Sequence, residues 1–240
     1  MGARPFPYAR VMCGRFQFAP SSPAVVEEEF ELEAMPGWPA RWNLAPTQAV
    51  PTIRLGAAAD APREAGAMAW GLVPAWAREG HAAAGFINAR IETAASKPSF
   101  REAWSRRRCL VASTGWYEWT RKGGPPTLLR REDGSPFAMA GLWEPAAEDR
   151  PEARPTVTIL TTAAAPEIEA VHHRMPVVLR REEQEAWLCE GLPGAGGDPE
   201  RPRLAYPLAV SLVSKRLNKV REEGPELMTP EPEEGPGLFG

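Results

Sequence analysis

Proline and glycine break this chain into short pieces. The 240 residues include 27 prolines and 21 glycines, which bound most of the apolar runs. Proline cannot donate to a sheet ladder and disrupts a helix interior, while glycine weakens both elements from within. Long regular elements are therefore excluded from most of the sequence. Runs rich in apolar and β-branched residues at 50–55, 67–72, 109–113, 116–120, 126–130, 137–142, 156–161, 177–179 and 204–210 predict strands. Ser21-Ser22-Pro23 ahead of Val25, Val26 and Phe30 predicts a capped helix with proline in its first turn, ending near Pro36-Gly37. Helical spacing recurs at Phe100-Ala103-Trp104, at Ile168-Val171 behind Pro166, and through Ala186-Trp187-Leu188 up to Gly191. Many short strands with a few helices predict an α+β fold. The expectation is a single domain whose core is mainly antiparallel sheet, barrel- or sandwich-like, with a few flanking helices.

Composition narrows the class. A hydrophobic fraction of 43% can build a full core at this length. No apolar run approaches the ~18 residues of a membrane span, and no leader pattern marks secretion. Three cysteines without framework spacing point to a reducing compartment. His81, His172 and His173 form no zinc pattern with Cys13, Cys109 and Cys189. The expectation is a soluble, cytosolic protein without metal or cofactor.

The net charge of −3 conceals an asymmetry. Residues 222–240 hold six acids (Glu222, Glu223, Glu226, Glu231, Glu233 and Glu234) and no base, so residues 1–221 carry −3 + 6 = +3. This Pro-, Glu- and Gly-rich tail predicts disorder. Residues 1–11 read as an N-terminal extension, 12–221 as the domain, and 193–202 as its longest surface loop. Base clusters at Arg106-Arg107-Arg108, at Arg130-Arg131, and at Lys215-Arg216 with Lys219 and Arg221. Such clusters suit phosphate contacts and equally suit solvated faces.

Several segments have chemical character. In Met12-Cys13-Gly14-Arg15-Phe16 a cysteine follows an internal methionine. A chain beginning at Cys13 would carry a 1,2-aminothiol, with an amine near pKa 8 and a thiol at roughly 8.5. Its amine condenses with an aldehyde to an imine, and its thiol closes onto the imine carbon to give a thiazolidine. Read from Met1, the same residue is an ordinary thiol. In Gly115-Trp116-Tyr117-Glu118-Trp119, alternation puts Trp116 and Glu118 on one face and Tyr117 and Trp119 on the other. Glu118 is either a carboxylate desolvated for proton transfer or a solvent-facing strand residue. In Val171-His172-His173-Arg174-Met175-Pro176, an imidazole could shuttle protons beside a phosphate-holding arginine, or both histidines could sit at the surface near a helix end. Asn88, Arg90 and Glu92 alternate with apolar residues. Of nine tryptophans, Trp70, Trp104, Trp143 and Trp187 read as core. Trp76 and Trp119, beside loop or charged residues, suit stacking on bases.

Taken in order, these segments resemble one family. Met12-Cys13-Gly14-Arg15-Phe16, Trp42-Asn43-Leu44-Ala45-Pro46-Thr47, Trp70-Gly71-Leu72-Val73-Pro74-Ala75-Trp76, Ile87-Asn88-Ala89-Arg90-Ile91-Glu92-Thr93, Gly115-Trp116-Tyr117-Glu118-Trp119 and His172-His173-Arg174-Met175-Pro176 succeed one another, followed by Val213-Ser214 and Asn218. The series is similar to the SOS-response-associated peptidase (SRAP) family, the abasic-site processing proteins, from about Met12 to Arg221. The resemblance implies a covalent thiazolidine link from an N-terminal Cys13 to the ring-opened sugar of an abasic site in single-stranded DNA. It implies that Asn88 positions the sugar, that Glu118 serves the α-amine and that His172 assists ring opening, with His173 in a more variable place. It gives Arg15, Arg90 and Arg174 to phosphates, Trp76 and Trp119 to bases, Thr162 to the sugar, and Asn43 to the DNA-binding set. It also implies a monomer that is cytoplasmic, and nucleoid-associated when on DNA, with (auto)peptidase and lyase-type activity. In this sequence eleven residues precede Met12, where the family places the cysteine next to its initiator methionine. Two other readings remain: a thiol peptidase that removes its own N-terminal segment, with Cys13 as nucleophile and His172 as base, and a non-covalent single-strand binding module.

Overall fold

The computed structural model describes residues 14–56, 61–77, 86–120, 123–146, 154–191 and 202–230. Within them the strands are β1 (Phe16–Phe18), β2 (Arg41–Leu44), β3 (Ala49–Leu55), β4 (Arg63–Trp70), β5 (Asn88–Arg90), β6 (Arg108–Ser113), β7 (Gly115–Glu118), β8 (Thr127–Arg131), β9 (Phe137–Glu144), β10 (Thr156–Ala163), β11 (Arg174–Pro176), β12 (Val178–Leu179) and β13 (Leu208–Leu212). The helices are α1 (Pro23–Phe30), α2 (Ile91–Ala94), α3 (Arg101–Arg106) and α4 (Arg181–Glu190). This is the α+β, largely antiparallel single domain that the punctuation predicts, and none of these helices is long and apolar enough to cross a membrane.

Two sheets carry the fold. The first runs β13-β8-β7-β1-β2, every pairing antiparallel. The second follows β4-β3-β6-β9 in antiparallel steps, and β10 closes it by pairing with β9 on one side and, in parallel, with β4 on the other. The result is a five-strand ring that leaves no edge along that circuit. β10 outruns the ring. Its first half lies between β4 and β9, and its second half lies between β5 (parallel) and β11 (antiparallel).

The sheets meet through aromatic side chains. Phe16 of β1 meets Trp70 of β4 edge-to-face with ring centroids 5.1 Å apart, and Trp116 of β7 meets Phe137 of β9 at 5.9 Å. Each such pair adds about 0.5–1.5 kcal/mol beyond its buried area. Trp70 and Trp187 are fully buried, while Trp104 and Trp143 pack at the margin of the same core. Gly115 is required at the head of β7. A Cβ there would lie 2.8 Å from Leu128 Cδ1 and 3.0 Å from the Leu129 carbonyl.

Three of the departures from expectation have a plain local cause. α1 stops at Phe30 rather than near residue 36, because Glu31 turns left-handed (φ 53°) and sends Leu32 back toward the core. The Glu31 and Leu32 amides both donate to the Glu27 carbonyl, which satisfies the helix end. The segment predicted helical at Ile168-Val171 forms turns, with Ile168 bonded to Ala165 and Val171 to Ile168. It is a short bridge between β10 and β11, and nucleating a helix over so few residues is unfavourable. The tail predicted to be disordered from 222 is packed as far as 230. Its 3-10 turn Pro225–Met228 buries Leu227 completely, and the Ser214 amide donates to the Leu227 carbonyl at 3.0 Å. Acidic composition concealed this anchor, since one buried leucine is enough to dock a short segment. Residues 231–240, the extension 1–11 and the loop expected at 193–202 (apart from residue 202) lie outside the described residues.

Candidate functional site

The outrunning half of β10 gathers one set of the expected residues. Asn88 and Arg90 open and close β5, opposite Ile159 and Thr161. Arg174 opens β11 opposite Ala163, and Thr162 faces Met175. Asn88 is half-buried, Arg90 is exposed and Thr162 is buried. His172 precedes β11, stacked on His173 with ring centroids 4.4 Å apart. Burial, opposed by a hydrogen bond from the ring to the Arg174 carbonyl and aided by the neighbouring charges of His173 and Arg174, holds the His172 imidazole below its ordinary pKa. The shift favours the neutral imidazole.

Arg174, given to phosphates by the resemblance, is engaged by protein groups in this structure. Its side chain is only 10% exposed, and its two terminal nitrogens donate to the two carboxylate oxygens of Glu92 at 2.7 and 2.9 Å. One of them also donates to the Thr161 carbonyl at 2.7 Å. Burial pushes the Glu92 carboxyl upward, but the Arg174 hydrogen bonds, a local backbone bond and the charges of Arg174 and Arg90 together bring it below the usual range. Glu92 had a place in the sequence pattern but no role. It closes the polar set that alternates with apolar residues, and in the structure it lies in α2, which begins at Ile91.

A second set lies on the all-antiparallel sheet. Glu118 ends β7 and is buried (3% exposed), with Thr127 opposite it in β8 and Leu212 of β13 opposite Thr127. Trp116 joins the main core, whereas Tyr117 packs with Leu128, Val213 and Leu217 against Trp119. The alternation read from sequence is therefore present, but both faces are covered. The Trp119 indole nitrogen donates to Asn218 Oδ1 at 2.7 Å, which gives Asn218 a part that its motif alone did not reveal.

Arg15 and Asn43, given to DNA by the resemblance, are turned inward in this structure. Asn43 is fully buried, and its Nδ2 donates to the carbonyls of Leu217 (3.3 Å), Lys219 (3.0 Å) and Glu222 (2.9 Å). Its Oδ1 accepts from Arg15 at 2.6 Å, and Arg15, itself 5% exposed, also donates to the Leu217 carbonyl at 2.9 Å. The pair ties β1 and β2 to the C-terminal segment. An asparagine in such a place satisfies backbone carbonyls that no strand ladder reaches.

Cys13 lies outside the described residues. The strand that follows it is placed, however. The Tyr117 amide donates to the Arg15 carbonyl at 3.0 Å, and Phe16 pairs with Trp116, so the chain enters β1 alongside the Glu118 end of β7. Trp76 stands apart at 57% exposure, with its indole nitrogen 3.4 Å from the Pro98 carbonyl. Of the other thiols, Cys109 is buried and its pKa is pushed up by desolvation, which makes it unreactive; Cys189 is exposed. Among the described residues no cluster of His, Cys, Asp or Glu could hold a metal ion.

Comparison with known proteins agrees with this arrangement of segments. The model of the family described as "SOS response associated peptidase (SRAP)" matches residues 12–220. The abasic site processing protein YoqW of Bacillus subtilis is 32% identical over 230 residues, covering 90% of this chain and 99% of that protein. The abasic site processing protein YedK of Escherichia coli is 29% identical, covering 91% and 100%. A crystal structure of a Bordetella bronchiseptica protein superposes with a TM-score of 0.65 at 27% identity, covering 84% of this chain and all of that one. With the family model spanning almost all of the domain, the chain belongs to the SOS response associated peptidase (SRAP) family.

Proposed function

We propose that this protein processes abasic sites in DNA, binding the lesion in single-stranded form and joining Cys13 covalently to the sugar aldehyde. Relatives of nearly full length that carry the name abasic site processing protein support the lesion. The observation that carries the chemistry is the entry of β1 beside Glu118, which brings the residues following Cys13 to a buried carboxylate. In a chain that begins at Cys13, the α-amine attacks the aldehyde carbon and water leaves to give the imine. The thiolate then adds to that carbon while the nitrogen takes a proton, closing the thiazolidine. Glu118 relays protons at the amine, and Asn88 orients the sugar. His172, neutral and half-buried, takes the proton of the sugar hydroxyl and returns it to the ring oxygen as the ring opens. Arg90, exposed at the end of β5, meets the phosphates, and Trp76 offers a stacking face. The acceptor is polyanionic, so the local clustering of arginine matters more than the net charge of −3.

Intact-mass measurement tests this directly. Protein beginning at Cys13 should gain the mass of an abasic oligonucleotide less one water. Protein demonstrated to retain residues 1–11 should gain none, because its Cys13 nitrogen is an amide without a basic lone pair. Cys13→Ser should give no stable ring product. A stable adduct on the retained chain rejects the thiazolidine route. Loss of the N-terminal segment alone would favour a self-cleaving thiol peptidase, and no change of either kind would favour a non-covalent binding module.

A further inference from the structure

His172 owes its placement to a residue outside its own segment. The Nδ1 atom lies 3.1 Å from both the amide nitrogen and the carbonyl oxygen of Arg174. The imidazole therefore has a backbone partner in either neutral tautomer. Without a proton, Nδ1 accepts from the amide; with one, it donates to the carbonyl. Only the second form leaves Nε2 with the lone pair that can abstract a proton. Small movements of the Arg174 main chain would decide between the two.

That main chain is held at both ends. Pairing of Arg174 with Ala163 fixes it to β10, and the Ala164 amide donates to the His173 carbonyl at 3.0 Å. The side chain then reaches across to α2 and grips Glu92 with two nearly parallel bonds, while also donating to Thr161. A bidentate guanidinium–carboxylate pair is directional in a way that a lysine point charge is not. Glu92 is half-exposed and sits on a separate element, so it touches neither His172 nor the proposed reacting atoms through any contact described above.

Building on the reading of His172 given above, we propose that Glu92 is a positioning residue: by clamping Arg174 it holds the backbone groups that keep the His172 imidazole with its proton on Nδ1 and its lone pair on Nε2. The proton balance follows. Nε2 takes the hydroxyl proton of the closed sugar as the C–O ring bond breaks and the carbonyl forms. The resulting imidazolium keeps its Nδ1–H on the Arg174 carbonyl, and Nε2 returns its proton to the ring oxygen. No proton is gained or lost overall. The clamp also accounts for an arginine placed beside the site with only 10% of its side chain open to solvent.

The test combines a DNA-free spectroscopic arm with a reaction arm. Long-range ¹H–¹⁵N spectra of histidine-labelled protein report the tautomer, and the chain has only three histidines, so His172→Gln identifies the signal. The wild-type protein should show the Nδ1–H tautomer for His172. Glu92→Ala and Arg174→Lys should both shift it toward a mixture, since lysine keeps the charge but not the fork. Glu92→Gln, which retains one oxygen acceptor and the side-chain shape, should lie between them and serves if the alanine variant does not fold. In the protein that begins at Cys13, the crosslinking rate on an abasic oligonucleotide should fall about 10- to 100-fold in Glu92→Ala, with affinity for undamaged single strands retained. An unchanged His172 spectrum in the variants overturns the proposal, whatever the rates. A changed spectrum with an unchanged rate overturns the catalytic part of it. Failure of the otherwise unaltered protein that begins at Cys13 to form any adduct rejects the covalent reading itself, and the spectra still decide whether the clamp sets the tautomer.

Discussion

Replacing Asn43 with alanine should destabilise the protein far more than any surface substitution, although the residue touches no proposed reacting atom. Its side chain makes two well-formed neutral bonds, to the Lys219 and Glu222 carbonyls, and accepts one charge-assisted bond from Arg15. With about 1 kcal/mol for each neutral bond and about 1.5–3 kcal/mol for the charged one, the loss comes to about 3–5 kcal/mol. The longer contact to Leu217 adds little, because that carbonyl still accepts from Arg15. In a domain of this size the melting temperature should drop by about 10 °C.

Urea unfolding followed by tryptophan fluorescence measures this, with Glu64→Gln as the control. Glu64 pairs with Arg54 in the open, with both side chains more than a third exposed, so its loss should cost less than about 1 kcal/mol. The Asn43 variant should also change the environment of Trp119. The Leu217 and Lys219 carbonyls flank Asn218, whose side chain holds the indole nitrogen. A loss below about 1 kcal/mol with an unchanged denaturant slope would refute the assignment of Asn43 as an internal tie and reopen a surface role.

Cutting the chain after 221 should cost at least about 3 kcal/mol, because it removes the fully buried Leu227 along with the Glu222 and Glu223 contacts to β2, whereas cutting after 230 should leave the unfolding midpoint in place. Equal midpoints for both truncations would show that the segment is not docked in solution. Trp76→Ala should weaken single-strand binding by roughly 1–3 kcal/mol without altering its salt dependence. Arg90→Ala should instead flatten the log–log salt slope by about 0.7. Affinity titrations at several salt concentrations that show neither effect would put the groove elsewhere. Glu29 carries a pH effect on stability. Burial raises its carboxyl to about 7, against the opposing pull of Arg131 and Arg181. The folded state thus binds more protons than the unfolded state between about 4.5 and 7, so this contribution is fully present below 4.5 and is lost as pH rises through 7. Glu29→Gln should remove that slope, worth at most about 3 kcal/mol; parallel midpoint-against-pH curves for the two proteins would contradict it.

The strands legible in the sequence are those whose apolar residues form a run of about five. β3, β6, β8, β9 and β10 coincide with the apolar runs to within a few residues. β1, whose Phe-Gln-Phe is too short to stand out as a run, was not legible, and neither were β2, β5 and β11. Arg-Trp-Asn-Leu, Asn-Ala-Arg and Arg-Met-Pro have little strand character of their own and become strands because an already formed neighbour supplies their hydrogen bonds. These are the elements that carry Asn43, Asn88, Arg90 and Arg174. Motif order could therefore name candidate residues while saying little about their orientation. An arginine in a motif has the same spelling whether it faces a phosphate, as the exposed Arg90 can, or a buried asparagine, as Arg15 does.

The distribution of the candidate residues between two sheets places a physical demand on the fold. Asn88, Thr162 and His172 depend on the outrunning half of β10, whereas Glu118 and the entry to β1 belong to the other sheet. An imine forms only if its amine, aldehyde and proton relays meet within hydrogen-bonding reach, so the sheets must keep a fixed relation. Aromatic contact provides it at the core, through Phe16 on Trp70 and Trp116 on Phe137. One residue ahead of β1 the Arg15–Asn43 tie adds a polar join to this aromatic one. Buried polar side chains are a costly way to join segments unless every group finds a partner. Asn43 meets that condition with four bonds, three of them to the C-terminal segment that follows β13. The end of the domain thereby stabilises its beginning, and Cys13, the proposed nucleophile, lies two positions along the sequence from that tie.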